Sequence, residues 1–269
     1  MELRSFQYGS SSIFYRVAGN GRPILLLHGF GEDGDIWIRQ VECLKDHFRL
    51  IIPDLPGSGH SELIPDMSIE GMAVVIKEIC TIEFSGLPAQ QAEGLVLVGH
   101  SMGGHITLAF AEKYPERISS FGLVHSSAYA DSEEKKQARL KSIEFIKRHG
   151  SYAFLKTSIP GLFWNEWLNI NGEIVEELIE KGKHFSSEAL ISYYQAMMER
   201  PDRTSVLKNF KGPVHYIMGE HDMAVPFEHS LQECYIPQRS EVYILRNSAH
   251  MGMLEETEKV NRILMNLGI

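Results

Sequence analysis

Apolar residues fall along this chain in two alternating rhythms. Short apolar runs, ILLLH (24–28), RLIIP (49–53), LVLVG (95–99), SFGLVH (120–125), VHYIMGE (214–220) and EVYILRN (241–247), have the length and branched character of buried strands. Between the earlier runs, IWIRQVECL (36–44), IEGMAVVIKEI (69–79) and ITLAFAEKY (106–114) repeat apolar positions at helical spacing. Strand alternating with helix predicts an α/β fold with a mostly parallel sheet covered on both faces. At the start, LRSFQY and SIFYRV flank Gly9-Ser10 and predict an antiparallel hairpin.

From Tyr129 to about Phe210 the strand rhythm stops. Helices are expected over 135–148, 173–181 and 187–199, the last carrying Leu190, Tyr193, Tyr194, Met197 and Met198 as an apolar stripe. The chain therefore divides into a core, 1–128 and 211–269, and a helical insertion, 129–210. At 269 residues one core suffices, because a chain of this size buries about three quarters of its unfolded surface.

Charge narrows the partners. With 26 Lys and Arg against 35 Asp and Glu, the net charge is −9, which repels a phosphate backbone and an anionic membrane surface alike. No apolar run approaches the ~18 residues of a membrane span. Cys43, Cys80 and Cys234 are odd in number, far apart and in no CxxC pair, which suggests neither a disulfide framework nor a zinc site. A cytoplasmic protein acting on a small molecule is expected, without nucleic acid or membrane.

The chemistry begins at GHSMGG (99–104). A strand ends at Gly99, a helix begins at Met102, and Ser101 stands at the break, matching GxSxG in the context that lifts a serine hydroxyl clear of a sheet. The Met102 N–H, at the new helix's N-terminus, is placed to meet developing negative charge. A serine nucleophile needs a base, and His250 in NSAHMGML follows the late strand EVYILR. Asp222, in GEHD after the preceding strand, is the expected acid partner, with Glu220 as the lesser candidate. In HGFG (28–31) the Phe30 N–H is the second oxyanion candidate. GSG at 57–59 lacks the third glycine of a dinucleotide fingerprint, and His100 and His105 stand five apart rather than at the i, i+4 spacing of a helical metal pair. Neither cofactor nor metal is expected.

HGFGEDGDIW (28–37), DLPGSGHS (54–61), GHSMGG (99–104), GEHD (219–222) and SAHMGMLEE (248–256) together resemble the α/β-hydrolase fold superfamily. The closest likeness is to its small cap-bearing serine hydrolases, which include carboxylesterases and enol-lactonases. The resemblance implies a Ser101–His250–Asp222 triad, amides of Phe30 and Met102 as oxyanion hole, an acyl substrate, no cofactor, and a cap at the helical insertion. It also implies that Asp54 anchors the GSG loop. Carbon–carbon bond hydrolases of this fold share the triad, but typically carry Asn before the serine and Trp after the histidine, where this chain has His100 and Met251. Dehalogenases and epoxide hydrolases of the fold use an aspartate nucleophile, whereas residue 101 is serine. Ligand-sensing regulators of the fold retain the triad and remain a second class. For the substrate pocket, His100, Phe154, Phe163, Trp164 and Trp167 are the candidates, with packing of the insertion onto the core as the alternative role for the aromatics.

Overall fold

A computed structural model describes residues 1–85 and 94–267. Its centre is an eight-stranded sheet: β1 (Glu2–Tyr8), β2 (Ser11–Ala18), β3 (Arg22–Leu27), β4 (Phe48–Pro53), β5 (Leu95–His100), β6 (Ile118–Val124), β7 (Val214–Gly219) and β8 (Ser240–Leu245). The spatial order is β1-β2-β4-β3-β5-β6-β7-β8. β1 pairs antiparallel with β2 and β2 with β4, while every pairing from β4 to β8 is parallel. The hairpin and parallel sheet are those expected. β5 and β7 are buried along their whole length, as strands covered by helices on both faces must be. β8 is an edge strand and mostly exposed or half-buried.

Three helices lie between the core strands: α1 (Ile38–Leu44), α2 (Ile69–Phe84) and α3 (Met102–Lys113). Ser68 starts α2 by accepting the Gly71 N–H at 3.0 Å. Between β6 and β7 come α4 (Glu133–Ser158), α5 (Asn165–Ile170), α6 (Gly172–Lys181), α7 (Ser187–Glu199) and α8 (Thr204–Asn209). α4 runs ten residues beyond its expected end at 148. Gly150 breaks the helical dihedrals with φ 85°, and the helix resumes beyond it, so a residue that stops the pattern in one dimension is a kink in three. After β7 follow α9 (Phe227–Glu233), α10 (Gly252–Glu255) and α11 (Thr257–Asn266). Among the described residues no helix is long and apolar enough to cross a membrane.

The strand order places the site. From β3 the chain moves outward to β4, then returns to β5 on the other side of β3, so the loops leaving β3 and β5 diverge and open a crevice at their C-terminal ends. Asp54 shapes one wall, accepting the Gly34 and His60 N–H groups at 3.0 Å each and pairing with Arg16, which fulfils its expected anchoring role. The α4–α8 insertion lies over this edge. Tyr193 donates to the Pro56 carbonyl at 2.6 Å, and the His250 N–H donates to the Leu162 carbonyl at 2.9 Å.

Candidate active site

Ser101 has φ 49° and ψ −114°, a left-handed backbone that costs a non-glycine residue about 1–3 kcal/mol. Three bonds hold it there: its N–H to the Val124 carbonyl at 2.9 Å, and its carbonyl to Gly104 N–H at 2.9 Å and Ser126 hydroxyl at 2.7 Å. The glycines are required by closeness. A Cβ on Gly99 would sit 2.3 Å from the Gly103 carbonyl carbon, and one on Gly103 would sit 2.6 Å from the His28 oxygen. The turn can form only where strand, helix and the β3 loop are bare at those points.

The three expected side chains meet above this turn. Ser101 Oγ is 2.9 Å from His250 Nε2, and His250 Nδ1 is 2.8 Å from Asp222 Oδ2. Asp222 Oδ1 accepts from the Ala224 and Val225 N–H groups at 2.8 and 2.9 Å, and Oδ2 also receives His125 Nδ1 at 3.2 Å. Burial opposes its charge, but the two imidazoles and these bonds hold the carboxyl well below its ordinary pKa. Glu220 is exposed. Ser101 is half-buried and therefore reachable.

The Phe30 loop and Met102 both adjoin Ser101. A Cβ on Gly29 would lie 3.2 Å from the Ser101 Cβ, which puts the Phe30 loop directly beside the serine. The Met102 N–H is an orphan donor of the first turn of α3, and among the described residues the Phe30 N–H has no protein acceptor.

His100 is corrected from pocket wall to internal strut. It is 1% exposed; Nε2 donates to the His250 carbonyl at 2.9 Å, and Nδ1 faces Glu32 Oε2 at 3.0 Å. Glu32 also accepts the Gly29 N–H at 2.7 Å. Burial disfavours both charges, yet the pair raises the His100 pKa and lowers that of Glu32. One buried ion pair thus ties the Phe30 loop, the elbow and the His250 loop together. Glu255 ties the His250 loop to the insertion, accepting the Ala249 and Met251 N–H groups at 3.0 Å each and the Trp164 N–H at 2.7 Å. Neither carboxylate stood out in sequence, although both lie inside recognised motifs.

Of the two roles open to the aromatic candidates, their ring contacts are those of packing. Phe163 stacks on Trp167 with centroids 5.1 Å apart, Trp164 stacks on His221 at 4.8 Å, and Phe154 packs edge-on against Phe30 and Tyr194. A cavity of about 150 Å³ adjoins the site instead, walled by Phe30, Ile159, Leu162, Leu178, Phe185 and Met251. The apolar space follows the side of the insertion that faces the Phe30 loop.

His125 adjoins the site through the same Asp222 carboxylate. Its φ is 49°, it donates Nδ1–H to Asp222, and its Nε2 accepts the Gly252 N–H at 3.2 Å. His125, Asp222 and His250 bring donor atoms within 4.8 Å of one another, the spacing of a metal cage. Both imidazoles, however, turn an N–H toward the same carboxylate oxygen, which is hydrogen bonding and not ligation.

Burial pushes the His125 pKa down to about 4, against the pull of Asp222. Its folded value lies below the unfolded one near 6.5, so between them the unfolded chain binds more protons and stability rises with pH. The contribution is complete above about pH 6.5 and is lost toward pH 4, up to about 3 kcal/mol in all. His125→Asn should therefore be less stable at pH 7.5, yet lose less than the wild type on acidification to pH 4.5. Urea unfolding at several pH values checks this, and equal slopes for the two proteins would contradict it.

Known proteins share this fold. A profile of the α/β hydrolase fold matches residues 22–148. A thermophilic esterase from Thermogutta terrifontis superposes with a TM-score of 0.89 at 28% identity, over 100% of both chains. The chain has the α/β-hydrolase fold. Relatives spread across this fold's hydrolases. A protein of Agrobacterium fabrum, provisionally named carbamate hydrolase RutD, is 27% identical over 93% of this chain and 94% of its own length. Lipase 1 of Psychrobacter immobilis is also 27% identical, over 96% of this chain and 81% of its own. As an α/β-hydrolase, the chain keeps the fold's order of Ser101, then Asp222, then His250.

Proposed function

We propose that this α/β-hydrolase is a cofactor-independent serine hydrolase that cleaves a carboxylic ester or related acyl compound through an acyl-enzyme. The observation that carries this is the continuous relay from Ser101 Oγ through His250 to Asp222, at 2.9 and 2.8 Å. Ser101 Oγ bonds to the carbonyl carbon while His250 Nε2 takes its proton, and the carbonyl electron pair moves onto oxygen. The Phe30 and Met102 N–H groups receive that oxyanion. Its collapse breaks the bond to the leaving alkoxide, which takes the proton back from His250. Water then repeats the sequence on the acyl group and frees Ser101. Asp222 holds Nδ1–H, so that the Nε2 lone pair faces the serine.

Residues 129–210 act as a cap over this site, and the cavity beside Phe30 accepts an apolar part of the substrate. Cys43, Cys80 and Cys234 are free thiols, in keeping with a cytoplasmic setting. The test is a panel of p-nitrophenyl esters, lactones, thioesters and carbamates of graded acyl length. Rapid mixing with a p-nitrophenyl ester should release an initial burst of about one nitrophenol per active site wherever deacylation is slow, with the acyl group recovered on Ser101. Turnover of no member of the panel, with no acyl adduct, would reject the proposal.

A further inference from the structure

The insertion lays positive charge across the mouth of the site. Lys135 and Arg139 stand one turn apart on α4 and share a helix face. Lys135 Nζ donates to the Ala224 carbonyl at 3.0 Å, and the Ala224 N–H is itself held by Asp222, so the ammonium ends at the Asp222 loop. The Arg139 guanidinium lies 5.3 Å from the centre of the Tyr194 ring, which stacks at 4.3 Å on Phe30. The two cations therefore span from the Asp222 end to the Phe30 end of the cleft that holds Ser101.

Their charge is not balanced locally. Arg200 joins the group, and Asp131 pairs with both arginines, Arg139 Nε at 2.5 Å and Arg200 Nη1 at 2.9 Å. Among the described residues no other carboxylate lies within 4 Å of either arginine, and none lies within 4 Å of Lys135. Other acids nearby are committed elsewhere. Asp222 serves the two imidazoles, burial pushes Glu233 up to about 7 and leaves it only partly ionised, and Glu70 and Glu112 pair with Arg203. Lys135 is half-buried and uses one of its three donors, and Arg200 Nε is buried without a partner. Burial, then repulsion by Arg139 and Arg200, lowers the Lys135 pKa. Two arginines sharing one carboxylate, beside a half-buried lysine that has none, leave donors that an arriving anion would use.

We infer that the substrate carries a carboxylate away from its scissile bond, held by Lys135 and Arg139. Calling that ligand a substrate rests on the acyl-hydrolase proposal, whereas its binding does not. The experiment therefore measures binding to the Ser101→Ala protein by titration NMR, with two matched pairs of probes. Monoethyl glutarate is compared with ethyl pentanoate, and 3-acetoxypropanoate with propyl acetate; each pair exchanges a carboxylate for a methyl, on the acyl or the alcohol side.

At least one anionic member should bind about tenfold or more tightly than its neutral partner, the worth of a charge-assisted bond. Adding Lys135→Met or Arg139→Gln should cut that ratio several-fold, while Lys135→Arg, which keeps the charge, should retain most of it. Ratios within about twofold of unity for both pairs would overturn the inference, as would a preference that survives both charge-removing substitutions. Hydrolysis of the same neutral esters by the wild type reads the acyl-hydrolase proposal separately, so the two fail by different signs.

Discussion

Ser101→Ala should abolish covalent labelling by a fluorophosphonate and reduce ester turnover by about 10³-fold or more. The loss is large because the relay works as a unit: without Oγ, His250 has no proton to take and the acyl-enzyme cannot form. In the proposed mechanism, what remains is the binding and electrostatic contribution of the Phe30 and Met102 amides acting on bulk water. The substitution removes one oxygen whose bond is to His250, and leaves the backbone contacts of residue 101 to Val124, Gly104 and Ser126 in place. Alanine meets the same left-handed backbone that serine already tolerates, so the thermal midpoint should change little. Undiminished labelling of a folded alanine protein would remove Ser101 from the mechanism.

Asp222→Asn should lower kcat by up to ~10⁴-fold, and the hydrogen bonds say why. The Oδ1 position accepts two backbone N–H groups, from Ala224 and Val225, so an asparagine must place its carbonyl oxygen there. Its NH₂ then falls at the Oδ2 position and faces Nδ1 of both His250 and His125. Each ring must now offer a lone pair at Nδ1 and carry its proton on Nε2. For His250 that proton points at Ser101, which leaves no base; for His125 it points at the Gly252 N–H. The variant should therefore also lose stability, and unfolding must be measured beside turnover. Glu220→Gln, on an exposed side chain after the same strand, should change kcat little. A reversal of the two effects would make Glu220 the acid.

The strands, the hairpin, the elbow and the three residues of the proposed relay were legible because each is written locally. A buried strand has to be apolar throughout, a helix repeats its apolar face every turn, and GHSMGG sits where one period gives way to the other. GEHD and SAHMGML each follow a strand, which by itself delivers Asp222 and His250 to one edge of a parallel sheet. Gly150 shows the limit of such signals, since the same residue ends a pattern or kinks a helix depending on what α4 packs against.

What the tertiary structure alone decided is which polar groups from remote segments meet. His100 reads as pocket or core until Glu32, 68 residues away, and the His250 carbonyl, 150 residues away, are seen to take its two nitrogens. Trp164 and Trp167 read equally as pocket wall or packing until their rings are found stacked on His221 and Phe163. Lys135 and Arg139 look like the solvated face of a charged helix, and become a cationic rim only when α4 lies across the crevice. Periodicity is set by the chain's own geometry and survives in one dimension. A side chain's burial, partner and proton are set by neighbours brought in from elsewhere, and no local pattern records them.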